Sequence, residues 1–103
     1  MTGHRIHPDA EVELSRAAHW YERRRAGLGD ALLAEYERVL ARAIVQPRSG
    51  APLRPCPDEV DLRSFSLRRF PYSILVAVMP PSPLVIAIAH QRRRPGYWLT
   101  RIG

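Results

Sequence analysis

The apolar positions of residues 8–47 follow two successive helical repeats. Pro8 suits the first turn of a helix, and apolar residues then recur at three- and four-residue spacing as far as Ala26-Gly27, where glycine can form a left-handed cap. The repeat resumes near Leu32 and ends at Pro47. The two apolar stripes consist of Val12, Leu14, Ala17, Ala18 and Tyr21, and of Leu32, Leu33, Tyr36, Val39, Leu40, Ala43 and Ile44. Because the link between them is short, the pattern predicts an antiparallel helical hairpin.

The pattern becomes that of β-strands after residue 61. Phe65 and Leu67 alternate with serines, which is typical of a half-buried strand, whereas residues 72–79 and 84–89 are apolar on both faces and predict central strands. The "PPSP" between them predicts a tight connection between antiparallel neighbours. "HRIH" at residues 4–7 predicts a short edge strand, and the proline-rich residues 46–61 predict a loop. The sequence therefore predicts an α+β fold, with an N-terminal helical hairpin packed on one face of a small, mainly antiparallel sheet.

Length and cysteine content limit the range of protein classes. A chain of 103 residues predicts a single domain, 1–103, with one modest core. Cys56 is the only cysteine, and His4 and His7 have no evident third ligand, so we expect an inert loop cysteine, no metal site and no cofactor. The N-terminus lacks the apolar stretch of a signal peptide, and the apolar runs are too short to span a bilayer. We expect a cytoplasmic protein without membrane association.

Positive charge is concentrated in the second half of the chain. All 16 positive residues are arginine, and the formal net charge is +6. Residues 1–60 carry nine arginines and nine acidic residues, whereas residues 61–103 carry seven arginines against Asp61 alone. A one-sided basic field of this kind favours a polyanion or an acidic protein as partner.

The predicted sheet brings several arginines to one place. The first and third of the three long strands run in the same direction, so the arginines that follow them should lie at the same edge of the sheet, beside Tyr72. These residues are Arg68, Arg69, Arg92, Arg93 and Arg94, with Arg63 in the first strand as a further member of the same face. Strand ends are often charged to discourage edge pairing, which is the alternative interpretation. Five like charges together nevertheless repel one another unless an anionic partner answers them.

Few residues in the basic half are suited to catalysis. His90, at the end of the last strand, is a candidate general acid or base, or else a residue that caps the strand by hydrogen bonding. Pro95-Gly96 turns the chain and brings Tyr97 and Trp98 back towards the arginines or towards the core. A glycine-rich phosphate loop, a nucleophile elbow and a pair of carboxylates are all missing from this half of the sequence.

An ordered combination of segments resembles a known superfamily. "ELSRAAHWYE", a second helix, "LRRFPYSILVAV" and "VIAIAHQRRRPGYW" follow one another over roughly residues 9–98. Together they resemble the RelE/ParE superfamily of toxins from type II toxin–antitoxin modules, some of which are called plasmid stabilisation proteins. The resemblance implies two helices packed on a small antiparallel sheet. It also implies an acidic antitoxin as partner, in a hetero-oligomer. Such a partner could lie in a groove between the helices or add a strand to the sheet edge.

The resemblance implies two alternative activities. RelE-like members cleave mRNA on the ribosome. In this chain the resemblance implies Tyr97 or His90 as the residue that transfers the proton. The residues that stabilise the phosphate charge would be Arg63, Arg68, Arg69, Arg92 and Arg93. ParE-like members lack that catalytic set and poison DNA gyrase. This chain has no lysine and no glutamate on the predicted sheet face, which favours the ParE-like activity. Arg94, Tyr72 and Trp98 complete the expected target-binding set. A third possibility is a nucleic-acid-binding domain without toxicity.

Overall fold

Nine elements make up the part of the chain that the computed structural model describes, residues 3–53 and 60–102. The expectation of an inert loop cysteine concerns Cys56, which lies outside these residues. The elements in chain order are β1 (Arg5–Ile6), α1 (Pro8–Arg24), α2 (Leu28–Val45), a 3-10 turn (Pro47–Ser49), β2 (Ala51–Pro52), β3 (Asp61–Ser66), β4 (Tyr72–Val78), β5 (Leu84–His90) and a second 3-10 turn (Leu99–Arg101). The predicted α+β fold is confirmed.

The helical hairpin is closed by local features of its sequence. At the start of α1, the His7 Nδ1 accepts a hydrogen bond from the Asp9 N–H at 3.0 Å. Gly27 adopts φ 89° in the link between the helices, a conformation that favours glycine. Gly29 allows the helices to approach, because a Cβ there would lie 2.5 Å from the Ala18 carbonyl oxygen. The predicted antiparallel hairpin is confirmed, with α2 beginning four residues before its first core leucine, Leu32.

The sheet is mixed and has five strands in the order β1-β5-β4-β3-β2. β1 runs parallel to β5, while the other pairs are antiparallel. The predicted edge strand at residues 4–7 is confirmed as β1. The two-residue strand β2, which covers the opposite edge, was not predicted. Tyr72 pairs with His90, and Ser66 pairs with Ser73, so β3 and β5 end at the same end of the sheet where β4 begins.

Apolar side chains pack on both faces of the sheet. The helix-side core lies between the hairpin and the sheet, and its side chains include Leu32, Tyr36, Phe65, Phe70, Ile74 and Ile88. A second cluster, here called the outer cluster, comprises Leu62, Leu75, Ala77, Ile86, Ala87 and Trp98, with Leu99 and Ile102 packed against it. The expectation of one core under one helical layer was therefore incomplete, because the C-terminal segment covers the other face.

The described residues contain no helix long and apolar enough to cross a membrane. Within the same residues, no group of three or more His, Cys, Asp or Glu side chains could hold a metal ion.

Candidate functional site

Five exposed arginines lie at one end of the sheet, in two turns. Arg68 and Arg69 lie in the turn between β3 and β4, and Arg92, Arg93 and Arg94 follow β5. We call these five residues the strand-end cluster. The antiparallel register brings both turns to the end of the sheet where β4 starts, as the sequence predicted.

A buried glutamate from α2 fixes the first of these turns. The backbone N–H groups of Arg68 and Arg69 both donate to the Glu35 Oε2, the latter at 3.1 Å. Glu35 is buried, whereas both arginine side chains are exposed. Because one carboxylate holds two successive N–H groups, the backbone of this turn is tied to the helical layer while its cationic side chains project into solvent.

His90 organises the second turn. Its Nδ1 accepts a hydrogen bond from the Arg92 N–H at 3.0 Å, and its carbonyl oxygen accepts one from the Arg93 N–H at 2.9 Å. The imidazole ring lies edge-on to Tyr72, with ring centroids 5.1 Å apart. In the neutral imidazole, this arrangement leaves the ring proton on Nε2. Both roles expected of His90 thus remain geometrically open, and the capping role is the one seen.

Glu13, a residue of α1, is the centre of a hydrogen-bond network on the side of β5 that faces away from β4. Its carboxylate accepts hydrogen bonds from the Tyr97 hydroxyl at 2.8 Å, from two Arg101 nitrogens at 2.9 Å each, and from Arg93 at 3.3 Å. It also accepts the Ile88 backbone N–H at 2.9 Å. Beyond the residues of β5 that pair with β1, side chains therefore provide hydrogen-bond partners for the β5 backbone.

The network sets the protonation of its members. Burial raises the pKa of Glu13, but hydrogen bonds from Arg101, the Ile88 N–H and Tyr97 outweigh burial and leave that pKa below its usual value. Burial, followed by the hydrogen bond to Glu13, raises the pKa of Tyr97 to about 12. Arg93 stacks on the Tyr97 ring at 3.6 Å from its centroid. The Tyr97 hydroxyl therefore keeps its proton and donates it to the hydrogen bond with Glu13. The Glu13 carboxylate also partly neutralises the charge of Arg93.

A groove of about 460 Å³ runs between α1 and β5 and opens beside the strand-end cluster. We call it the α1–β5 groove. Its lining residues are Glu13, Arg16, Ala17, Trp20, Tyr21, Tyr72, Ile88, His90 and Arg93. Trp20 is 44% exposed at its rim, and Tyr21 lies edge-on to both Trp20 and Tyr72. Burial, followed by the nearby Tyr21, raises the pKa of Tyr72. The groove combines an aromatic wall with cationic and anionic groups.

Two residues of the expected site lie apart from the strand-end cluster. Arg63 donates to Asp61 at 2.8 Å and to the carbonyl oxygens of Arg48 and Gly50, so its guanidinium ties β3 to the segment before β2. Trp98 is 4% exposed and belongs to the outer cluster. Of the two positions left open for Trp98, the core is the one that the structure shows.

Sequence reasoning missed three residues that organise this end of the molecule: Glu13, Glu35 and Arg101. Each pairs with residues far away in the chain, and the Glu13–Arg101 contact spans 88 positions. The available signal was weak. It consisted of single acidic residues near the apolar stripes of the predicted helices and one arginine after Trp98.

The helical hairpin on a mixed sheet, with a basic end, matches the architecture expected of the RelE/ParE superfamily of type II toxins. A family model described as "ParE toxin of type II toxin-antitoxin system, parDE" matches residues 5–95. The chain belongs to this ParE toxin family, and it is therefore the toxin of a type II toxin–antitoxin system, whose partner is an antitoxin. No curated protein matches the chain.

Proposed function

We propose that this chain arrests bacterial growth by binding and poisoning DNA gyrase in the cytoplasm, and that an acidic antitoxin keeps it silent in a hetero-oligomeric complex. Membership of the ParE toxin family supports the gyrase target, because ParE-like toxins are the gyrase-poisoning branch of the superfamily. The concentration of positive charge in residues 61–103 supports an acidic partner.

The pKa and the hydrogen bond of Tyr97 favour a toxin that acts by binding over a ribonuclease. A general base or acid works best when its pKa lies near the working pH. The pKa of Tyr97 is raised to about 12, and its hydroxyl donates to Glu13 at 2.8 Å. Releasing the Tyr97 proton would disrupt the network that holds the C-terminal segment on the sheet. Tyr97 is therefore better suited to stabilising the fold than to transferring a proton.

The target-binding surface consists of the accessible members of the strand-end cluster. Arg92 and Arg94 are exposed, and among residues 3–53 and 60–102 their side chains have no ion-pair partner. Arg68 and Arg69 project from a backbone that Glu35 holds. Cations on a rigid scaffold can contact acidic residues of a target without first losing much conformational freedom. Tyr72 adds an aromatic face beside them.

One observation favours the alternative, a ribosome-dependent mRNA endoribonuclease. His90 lies on the wall of the α1–β5 groove together with Arg93, so an imidazole and a cation share one cavity. A ribonuclease needs such a pair, one group to move a proton and one to stabilise phosphate charge. The ribosome and mRNA would then be the target.

Two variants decide between these functions. Tyr97→Phe removes the hydroxyl, and His90→Asn removes the imidazole while keeping a side-chain acceptor for the Arg92 N–H. We expect both variants to arrest growth as the parent chain does, with loss of plasmid supercoiling and intact messages. Growth, supercoiling and mRNA integrity are measured after induction without antitoxin. Cleavage of translated messages that disappears in either variant would establish the ribonuclease instead.

The matched control compares arginines at two places. The double reversal Arg92→Glu/Arg94→Glu should abolish growth arrest, whereas Arg23→Glu, at an exposed arginine of α1, should leave it intact. Normal growth at high soluble expression of the parent chain would remove the basis of the proposal.

A further inference from the structure

A second cleft lies between α2 and the end of β3, away from the α1–β5 groove. It has a volume of about 360 Å³, and we call it the Glu35 cleft. Its lining residues are Glu35, Arg38, Val39, Arg42, Ser66 and Arg68. The sheet order places β5 and β3 on opposite sides of β4, so the groove and the cleft lie on two sides of the strand-end cluster.

The floor of this cleft carries an unsatisfied carboxylate oxygen. The Glu35 side chain is only 3% exposed, and its Oε2 accepts the two N–H groups of the β3–β4 turn. Within the described residues its Oε1 has no hydrogen-bond partner, and the nearest cationic nitrogen, on Arg38, is 3.8 Å away. Buried polar atoms in folded proteins are nearly always hydrogen-bonded, so this oxygen requires a donor, which a ligand in the cleft can supply.

The rim of the cleft is cationic and therefore calls for an anionic ligand. Arg38, Arg42 and Arg68 are all exposed and surround a single carboxylate, which leaves an excess of positive charge. Arg38 and Arg42 are four residues apart on α2, a spacing at which like charges destabilise a helix. Carboxylates of a partner would relieve this repulsion.

We propose that the Glu35 cleft anchors an acidic, extended segment of the antitoxin. A backbone N–H of the segment donates to the Glu35 Oε1, and its carboxylates pair with Arg38, Arg42 and Arg68. A peptide provides both groups, whereas a bare anion such as sulfate satisfies the arginines but offers the buried carboxylate no donor. The inference rests on the proposed function in one respect, namely that the neutralising partner is acidic.

The position of Arg68 connects this anchor to neutralisation. Arg68 lines the cleft and is also a member of the strand-end cluster. Within residues 3–53 and 60–102, the edge strand β2 pairs with β3 only at Arg63 and Ser64, and the last residues of β3 have no strand neighbour on that side. An extended segment bound in the cleft lies next to these residues, and its occupancy withdraws Arg68 from any target.

The experiment measures the affinity of the purified chain for its purified cognate antitoxin. Glu35→Gln keeps one oxygen for the β3–β4 turn but places an NH₂ donor where the Oε1 acceptor was. We expect at least a tenfold loss of affinity, because a hydrogen bond to a charged acceptor is replaced by two opposed donors. Arg38→Glu/Arg42→Glu should weaken binding at least as much, since like charges then face each other.

The control variant is Arg23→Glu, which changes one exposed helical arginine outside the cleft and should bind within twofold of the parent. Arg38 and Arg42 are exposed, so their reversal decides the question even if Glu35→Gln fails to fold. Antitoxin affinity within twofold of the parent for Arg38→Glu/Arg42→Glu would overturn the proposal.

Gyrase inhibition, measured without antitoxin, separates this inference from the proposed function. We expect Arg38→Glu/Arg42→Glu to inhibit gyrase as the parent does while escaping the antitoxin. Loss of gyrase inhibition with unchanged antitoxin affinity would assign the cleft to the target and overturn the inference. If the parent chain fails to inhibit gyrase but the cleft variants still lose antitoxin affinity, the proposed target is wrong and the anchor stands.

Discussion

Replacing Glu13 with alanine should destabilise the fold by about 3–5 kcal/mol, the cost of removing one partner from a buried ion pair. The Glu13 and Arg101 side chains are 12% and 11% exposed, so Glu13→Ala leaves a largely buried guanidinium without its principal partner. It also deprives the Ile88 N–H and the Tyr97 hydroxyl of their acceptor. A domain of this size has a total stability of about 5–15 kcal/mol, so the variant should lose a large fraction of it.

Urea unfolding followed by tryptophan fluorescence measures this loss, because Trp98 is buried in the outer cluster and becomes exposed on unfolding. The matched control is Asp9→Ala. Asp9 also faces Arg101, at 3.8 Å, but its side chain is 63% exposed, so the control should lose no more than about 1 kcal/mol. The double variant Glu13→Leu/Arg101→Leu should recover much of the loss, because it removes both buried charges.

The same network predicts how stability depends on pH. The pKa of Glu13 is lower in the folded chain than its ordinary value of 4.5, so its contribution is complete above that value and disappears as the pH falls through the folded-state pKa. The difference between parent and Glu13→Ala should therefore shrink in acid. A loss below about 1 kcal/mol at neutral pH would refute the reasoning, because it would mean that the pair contributes no more than an exposed one.

Three further outcomes are expected. Arg92→Glu/Arg94→Glu should slow antitoxin association several-fold at low salt and less at high salt, with unchanged urea unfolding; stopped-flow rates at two salt concentrations check this. Burial and the hydrogen bond to Glu13 raise the pKa of Tyr97 from its ordinary value of 10 to about 12, so its contribution to stability should be lost as the pH rises from 10 to 12. The pKa of Tyr36 is also raised to about 12, so Tyr97→Phe should show a smaller loss than the parent in pH-dependent unfolding, and not its complete absence. Gly29→Ala should cost about 1–3 kcal/mol in urea unfolding, because its Cβ would lie 2.5 Å from the Ala18 carbonyl oxygen.

The elements with strong local patterns were predictable from the sequence. The three-and-four spacing of apolar residues defined both helices, and the alternation ending at Leu67 and the two apolar runs defined β3, β4 and β5. Because antiparallel order alone fixes which strand ends meet, the common location of Arg68 and Arg92 could also be predicted.

The features that escaped prediction depend on contacts between distant positions. Nothing local in "APL" marks β2, which exists because residues 51 and 52 pair with β3. Whether Arg93 and Tyr97 are paired depends on Glu13, which is 80 and 84 positions away from them, so a sequence pattern could not distinguish a free cation from a paired one. The burial of Trp98 likewise follows from where the chain turns after β5.

The supercoiling activity of purified DNA gyrase, measured with increasing amounts of the purified chain, tests the proposed mechanism most directly. We predict that the chain inhibits supercoiling and traps cleaved DNA on the enzyme. The antitoxin should reverse this inhibition, and Arg92→Glu/Arg94→Glu should require at least about tenfold more protein for the same effect. Full supercoiling at saturating amounts of the folded parent chain, together with cleavage of mRNA on translating ribosomes, would contradict the proposal.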